Sequence, residues 1–259
     1  MSSEFIQELH LSSQQPLKDA DQKGRQICPQ CKKSMKYFCY QCRIPLIENI
    51  PKIDLPIDCE IIHHPTEKVS KSTALSATLL SDSCHWIEFP SDLPNYNPNE
   101  TLLLFPSPTA KKVADFSPDS LRQIKRVVCI ESVWQKANVV VNHPKIQHLP
   151  RAVISSHDTI FWRYQNISTT CLSSIEAIYY FYKEYAMVMN GSYNGEYDDL
   201  LFFFTHIYRR VQDYYNENPD KTFLHKDNYI QYKDEEVMKK KEEEAKSGMK
   251  KMYKKKDLK

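Results

Sequence analysis

Apolar residues in this chain come in short blocks separated by prolines and polar stretches, a rhythm that predicts strands alternating with helices. Val127–Ile130 is a compact buried strand, and Thr101–Phe105 is another that breaks at Pro106-Ser107-Pro108, where a Pro-x-Pro forces an extended loop. Cys59-Glu60-Ile61-Ile62-His63 runs into a turn, because Pro65 cannot continue a central strand and restricts His64. His85 to Phe89 and Ala152–Ser155 read as further strands. Helical spacing marks Lys71–Leu80, an amphipathic helix from Ser173 to about Met189, and a second aromatic-rich helix over Asp198–Tyr215 packed on the first, while Asp115–Gln123 reads as a short helix or a loop. Ser173 with Glu176 three residues on matches a capping box.

This order predicts an α/β domain over 46–190 and a helical region over 191–231. Residues 1–26 are polar and lack apolar periodicity, so they are expected to form a mobile arm. Residues 232–259 carry runs of Lys and Glu and read as a charged helix or a disordered extension.

The stretch from Lys125 to Trp134 organises the rest. Its strand delivers a carboxylate, Glu131, and an indole, Trp134, to the point where a helix begins. In open α/β sheets the crevice at the carboxyl ends of the strands is where ligands bind. The plainer alternative is a helix-start charge with Ser132 as the N-cap and Trp134 in the core.

Composition narrows the function. The 259 residues are 41% hydrophobic and 26% charged, enough apolar material for one substantial core. No apolar run approaches the roughly 20 residues needed to cross a bilayer, and the opening stretch has neither a basic flank nor an apolar core, so no secretory signal is expected. Glycine is scarce: Gly24, Gly191, Gly195 and Gly248 leave the whole of 25–190 without one. Rossmann and P-loop sites need glycines where backbone approaches phosphate, so those classes are excluded.

Cys28, Cys31, Cys39 and Cys42 form two C-x-x-C pairs separated by seven residues. Each pair sets two thiolates in one tight turn, and two turns close a tetrahedral site with no open position, so a structural zinc knuckle is expected over 27–45. Lys32, Lys33, Lys36 and Arg43 surround it and could contact phosphates or form a solvated face.

Taken together, the four-cysteine knuckle, the His64-Pro65 strand exit, the Phe105-Pro106-Ser107-Pro108 loop, the strand ending in Glu131-Ser-Val-Trp134, Trp162-Arg163, and the Leu172-Ser173-Ser174-Ile175-Glu176-Ala177 helix start resemble the DTW-domain family of tRNA-uridine aminocarboxypropyltransferases. The resemblance spans roughly Cys28 to Met189. It implies a fold related to SPOUT transferases, an α/β sheet with flanking helices and a knotted cofactor site. It also implies S-adenosylmethionine as donor of a 3-amino-3-carboxypropyl group to N3 of a tRNA uridine.

On that resemblance Glu131 and Trp134 are the expected catalytic positions. Pro106, Ser107, Pro108, Leu172, Ser173, Ser174 and Glu176 are expected to join them around the donor, with Glu176 holding its ammonium. His64 and Arg163 are expected on the RNA side with Lys32 and Lys33, and Trp134 or Trp162 as the stacking partner. The basic end of the tail is a further RNA contact or a nuclear address, which places the protein in nucleus or cytoplasm. The chain departs from the family pattern in having Glu131 for Asp, Val133 for Thr, Ser107 for Gly and Ser174 for Thr. Those departures leave open a DTW-like RNA binder with weakened transfer, or a SPOUT-type methyltransferase.

Overall fold

The computed structural model describes residues 2–163, 170–221 and 229–243. Six strands make one sheet: β1 (Asp58–His63), β2 (Cys84–Glu88), β3 (Thr101–Leu104), β4 (Lys111–Lys112), β5 (Arg126–Glu131) and β6 (Arg151–Val153). They lie in the order β2-β1-β5-β3-β6-β4, every pairing parallel. The sheet and its flanking helices are the expected α/β architecture.

Parallel sheets need both faces covered, which is why these strands read as near-continuous apolar runs. Neighbouring residues enter opposite cores. Ile61, Leu102 and Val127 face one core, shared with α3 (Ser174–Asn190) and α4 (Phe202–Glu217), whereas Ile62, Leu103 and Val128 face the other, with Val140 and Val141 of α2 (Trp134–Val141). Tyr179, Phe181 and Tyr182 of α3 are fully buried, and the helix stops at Gly191, whose φ of 74° is the left-handed conformation that ends helices. α3 and α4 share one core with the sheet, so the second helix packs on the first as expected.

The N-terminal arm is packed, contrary to expectation. Residues Ser2–Gln7 and α1 (Gln15–Lys23) are helical, and Leu17, Ala20 and Ile6 are buried. Polar contacts hold the segment between them: the His10 backbone N–H donates to Asp198 (2.7 Å), and Gln14 Nε2 donates to the Phe202 carbonyl (2.8 Å) and to Thr205 Oγ1 (2.7 Å). With so few apolar positions, anchoring falls to hydrogen bonds with partners near 200, which an apolar pattern does not register.

Two local expectations also change. The segment 71–80 forms two 3₁₀ turns, Val69–Lys71 and Ala74–Ser76, before a short helix at Ala77–Leu80. Ser72 Oγ accepts from the Leu75 N–H (3.2 Å), the kind of side-chain bond that competes with a helix. Ser132 does not cap α2: Val133 stands at the N-cap, and Ser132 Oγ donates to the Val133 carbonyl instead. Residues 229–233 are bound to α4, as in the bonds from Gln212 Nε2 to the Tyr229 carbonyl (3.0 Å) and from the Gln231 N–H to Gln212 (2.8 Å). Residues 235–243 are helical, and the Lys-rich end, 244–259, lies outside the described residues.

Candidate active site

The cysteine segment folds as two antiparallel ribbons, Gln26–Ile27 with Ser34–Met35 and Phe38–Cys39 with Ile44–Pro45. Lys32 and Arg43, with φ of 60° and 53°, let the chain turn back after each C-x-x-C. The four sulfurs lie within 4.8 Å of one another, with Cys31 and Cys39 Sγ 3.5 Å apart. A tetrahedron of thiolates at the usual zinc–sulfur length has an edge of roughly 3.8 Å, so the four residues fit a zinc ion. The ribbon is fastened to the body by Phe38 against Phe203 and by Tyr37, which bonds Asp21 of α1 and accepts from Arg210 (2.8 Å). Lys36 pairs with Asp21 (2.6 Å) and is half-buried, whereas Arg43 lies 3.5 Å from Glu88 and stays exposed. Lys32 and Lys33 stay exposed.

Glu131 ends β5 in the middle of the sheet edge, paired in register with His63 of β1, which is itself paired with Glu88 of β2. Its side chain is buried, and Oε2 has no hydrogen-bond partner among the described residues. Burial raises its pKa from 4.5 to about 7, against the pull of the Ser174 and Ser72 hydroxyls and of His63; Glu67 adds to the rise. A buried carboxylate with one unpartnered oxygen and a pKa of about 7 is poised to exchange a proton.

Other elements converge here. Ser174 opens α3, and the following N–H, that of Ile175, donates to Thr73 Oγ1 (3.2 Å), tying the helix start to the 72–76 turns. Arg163 donates to the Lys71 carbonyl, stacks over Phe161 with 5.5 Å to the ring centroid, and lies within electrostatic reach of Glu67, Tyr40 and Glu131. A cleft opens beside it, lined by Phe38 and Tyr40 of the cysteine ribbon, Ser72, Trp162, Arg163 and Phe203. The ribbon is therefore a wall of this cleft as well as a support.

The other expected positions divide. Pro106, Ser107 and Pro108 follow β3 at the same sheet edge, with the Ala110 N–H closing a turn onto the Ser107 carbonyl (3.1 Å). Leu172 and Ser173 precede α3 at the helix start that carries Ser174. The backbone of Trp134 begins α2, three residues past Glu131; its side chain lies outside the described part of the structure. Trp162 packs on Phe161 and Phe204, leaving it half-buried in the cleft wall. His64 bonds Thr66 Oγ1 (2.8 Å) and stacks on Phe89.

Glu176 is engaged elsewhere. It accepts from the Ser173 N–H (2.8 Å) and hydroxyl (2.7 Å), from Thr159 Oγ1 (2.7 Å) and from the Ile160 N–H (2.9 Å). Three of these bonds fall on Oε2 and one on Oε1, so the carboxylate closes the start of α3 and pins the 159–160 segment. Ser72, Glu67 and Tyr40 were not singled out as site residues by the sequence. The Ser/Thr-rich start at 70–73 was the one available signal for Ser72.

Comparison with known proteins places this geometry in a family. The DTW domain model matches residues 25–212. The chain is similar to tRNA-uridine aminocarboxypropyltransferase 1 of Xenopus laevis, at 32% identity over 82% of this chain and 89% of that one. Its identity to the proteins of the same name from Mus musculus and Homo sapiens is 34% and 31%, covering 82% of this chain and 85% of each relative. Among solved structures it matches the SAM-dependent rRNA:acp-transferase Tsr3 from Vulcanisaeta distributa with a TM-score of 0.34 and 18% identity, over 60% of this chain and 82% of that one. The chain belongs to the DTW-domain family.

Proposed function

We propose that this protein transfers the 3-amino-3-carboxypropyl group of S-adenosylmethionine to N3 of a uridine in tRNA, releasing methylthioadenosine. The reading is supported by relatives named for this reaction that match over most of their length. Within the chain, the observation that carries it is Glu131: a buried carboxylate with a free oxygen at the carboxyl end of the central strand.

Bound S-adenosylmethionine supplies a sulfonium, whose C–S bond is already activated. The new bond joins N3 to the carbon beside sulfur, the C–S electrons return to sulfur, and the N3 proton must leave. Glu131 Oε2 takes that proton, and a base titrating near neutrality is suited to the task. Ser72 and Ser174 orient the carboxylate from two other elements. The turn at 106–108 and the helix start at 172–174 flank the donor, where positioning selects the carboxypropyl carbon over the methyl. Arg163 and the aromatic wall of Tyr40 and Trp162 suit a stacked, unpaired base and its phosphate. Cys28, Cys31, Cys39 and Cys42 hold a structural zinc that fixes this wall. The Lys-rich end serves RNA binding or a nuclear address.

Mass spectrometry of the nucleosides and the small-molecule product from purified protein, tRNA and S-adenosylmethionine tests the reading. Aminocarboxypropyl-uridine with methylthioadenosine is expected. Adenosylhomocysteine would make the protein a methyltransferase, and tRNA binding without either product would make it an RNA binder; either result overturns the proposal.

A further inference from the structure

His63 has a hydrogen-bond environment that fixes its charge. Its Nε2 lies 2.8 Å from the carbonyl oxygen of Glu67, which can only accept, so Nε2 carries a proton. Its Nδ1 lies 2.8 Å from Glu88 Oε2. The other oxygen of Glu88 accepts from the Trp86 indole (2.8 Å) and faces the Arg43 guanidinium at 3.5 Å, two partners that favour the ionised carboxylate. An ionised Glu88 also only accepts, so Nδ1 carries a proton too. The ring packs at a tilt of 31° against Trp86, over which Arg43 also lies, with ring centroids 4.8 Å apart; His63 is 4% exposed, well shielded from screening.

On its other side His63 is paired with Glu131 across a parallel ladder. Paired residues on neighbouring strands point to the same face, and the strands are roughly 4.8 Å apart. We propose that His63 is held as an imidazolium and acts as a positioning residue, setting the charge state of Glu131 across the strand pair. This rests on the reading of Glu131 as the base for transfer.

The groups around the pair give the sign. Arg43, Glu88 and His63 together carry one positive charge, and His63 is the member of the three that is paired with Glu131. Arg163 adds a cation from the 161–163 segment, Glu67 opposes both, and Ser72 and Ser174 face the carboxylate with neutral hydroxyls. On its far side His63 neighbours His64, which Lys136 of α2 also faces and whose charged form burial disfavours. A cation beside a carboxylate favours ionisation, so removing it raises the pH at which Glu131 becomes a working base. The ladder Glu88–His63–Glu131 thus makes the base available at lower pH than burial alone would permit.

His63→Gln tests this, since the amide can still donate to the Glu67 carbonyl while losing the charge. Glu131 is followed directly, by the infrared carboxyl band of ¹³C-glutamate protein that disappears in Glu131→Gln, alongside the pH profile of transfer. His63→Gln is expected to move the carboxyl titration upward by about one pH unit and the acid limb of the rate with it, lowering the rate roughly 10-fold below both midpoints. His63→Lys, which keeps a cation, is expected to restore much of the shift. Glu88→Gln, which leaves the ring free to lose its proton, is expected to act like His63→Gln with the histidine still in place, and covers the case in which His63→Gln fails to fold.

A carboxyl titration unchanged in both His63→Gln and Glu88→Gln overturns the role of His63, whatever the rate does. A titration that moves without the rate following keeps His63 as the group that sets the charge and overturns Glu131 as the base.

Discussion

Phe38, between the two cysteine pairs, meets Phe203 of α4 edge-on, with ring centroids 5.1 Å apart. Both rings are buried and both line the cleft beside Arg163. The cysteine module is therefore part of the main core, and loss of an ion held by it would reach α4 and the cleft together. Cys28→Ser with Cys31→Ser is expected to release zinc and to lower stability, and a chelator should do the same to the wild type, because binding a structural metal is folding free energy. Metal analysis with thermal unfolding checks it: a native protein free of zinc, or a melting curve indifferent to chelation, counts against the site.

Glu131→Gln is expected to abolish transfer while leaving zinc content and folding intact, and Glu131→Asp to retain part of the rate. A fully active Glu131→Gln would return Glu131 to a helix-start charge.

The same carboxylate predicts a pH dependence of stability. Its folded pKa of about 7 is above its unfolded 4.5, so between those values the folded state holds a proton that the unfolded state has lost, and stability falls as pH rises. The loss is about 3 kcal/mol in total, complete above the folded value. Glu131→Gln removes this dependence. Its stability relative to wild type should grow across that window and then level off in denaturant titrations. A gap that stays constant with pH would mean that the folded value is ordinary.

Leu17, fully buried in α1, is the test of the N-terminal segment. Leu17→Ala is expected to cost about 2–5 kcal/mol, the range for emptying a core leucine. A loss below about half a kcal/mol, measured by urea unfolding, would put the segment back among mobile arms.

Truncation after Glu243 spares the residues at 229–233 that bind α4 and removes the Lys-rich end. Weaker tRNA binding with a shallower salt dependence is expected, as when phosphate contacts that displace counterions are lost. An unaltered slope would leave that end to localisation or solvation.

The sheet was legible because its signals are local: Val127–Ile130, Thr101–Phe105 and Cys59–His63 each announce a buried strand, and each is one within a residue or two. Glu131 was found for the same reason, as a charge ending an apolar run. The cysteine spacing likewise contains its own geometry. The packed N-terminus was not legible, since Gln14 and His10 find partners almost two hundred residues away and polar residues show no period when buried in this way. Glu176 shows a subtler limit. Its capping-box spacing was plain, but the two further donors from Thr159 and Ile160 that engage it come from a loop whose path the sequence does not state.

The bonds joining His10 to Asp198 and Gln14 to Phe202 span 188 residues each. On a ribosome adding about 5–20 residues per second, those partners emerge roughly 10–40 s after the helix that needs them. Leu17, Phe38 and the four thiols are thus synthesised long before the surface that buries them exists. During that interval the segment is open to premature oxidation or to capture by other apolar chains. Completion of this protein is a late event, made when α4 closes over α1.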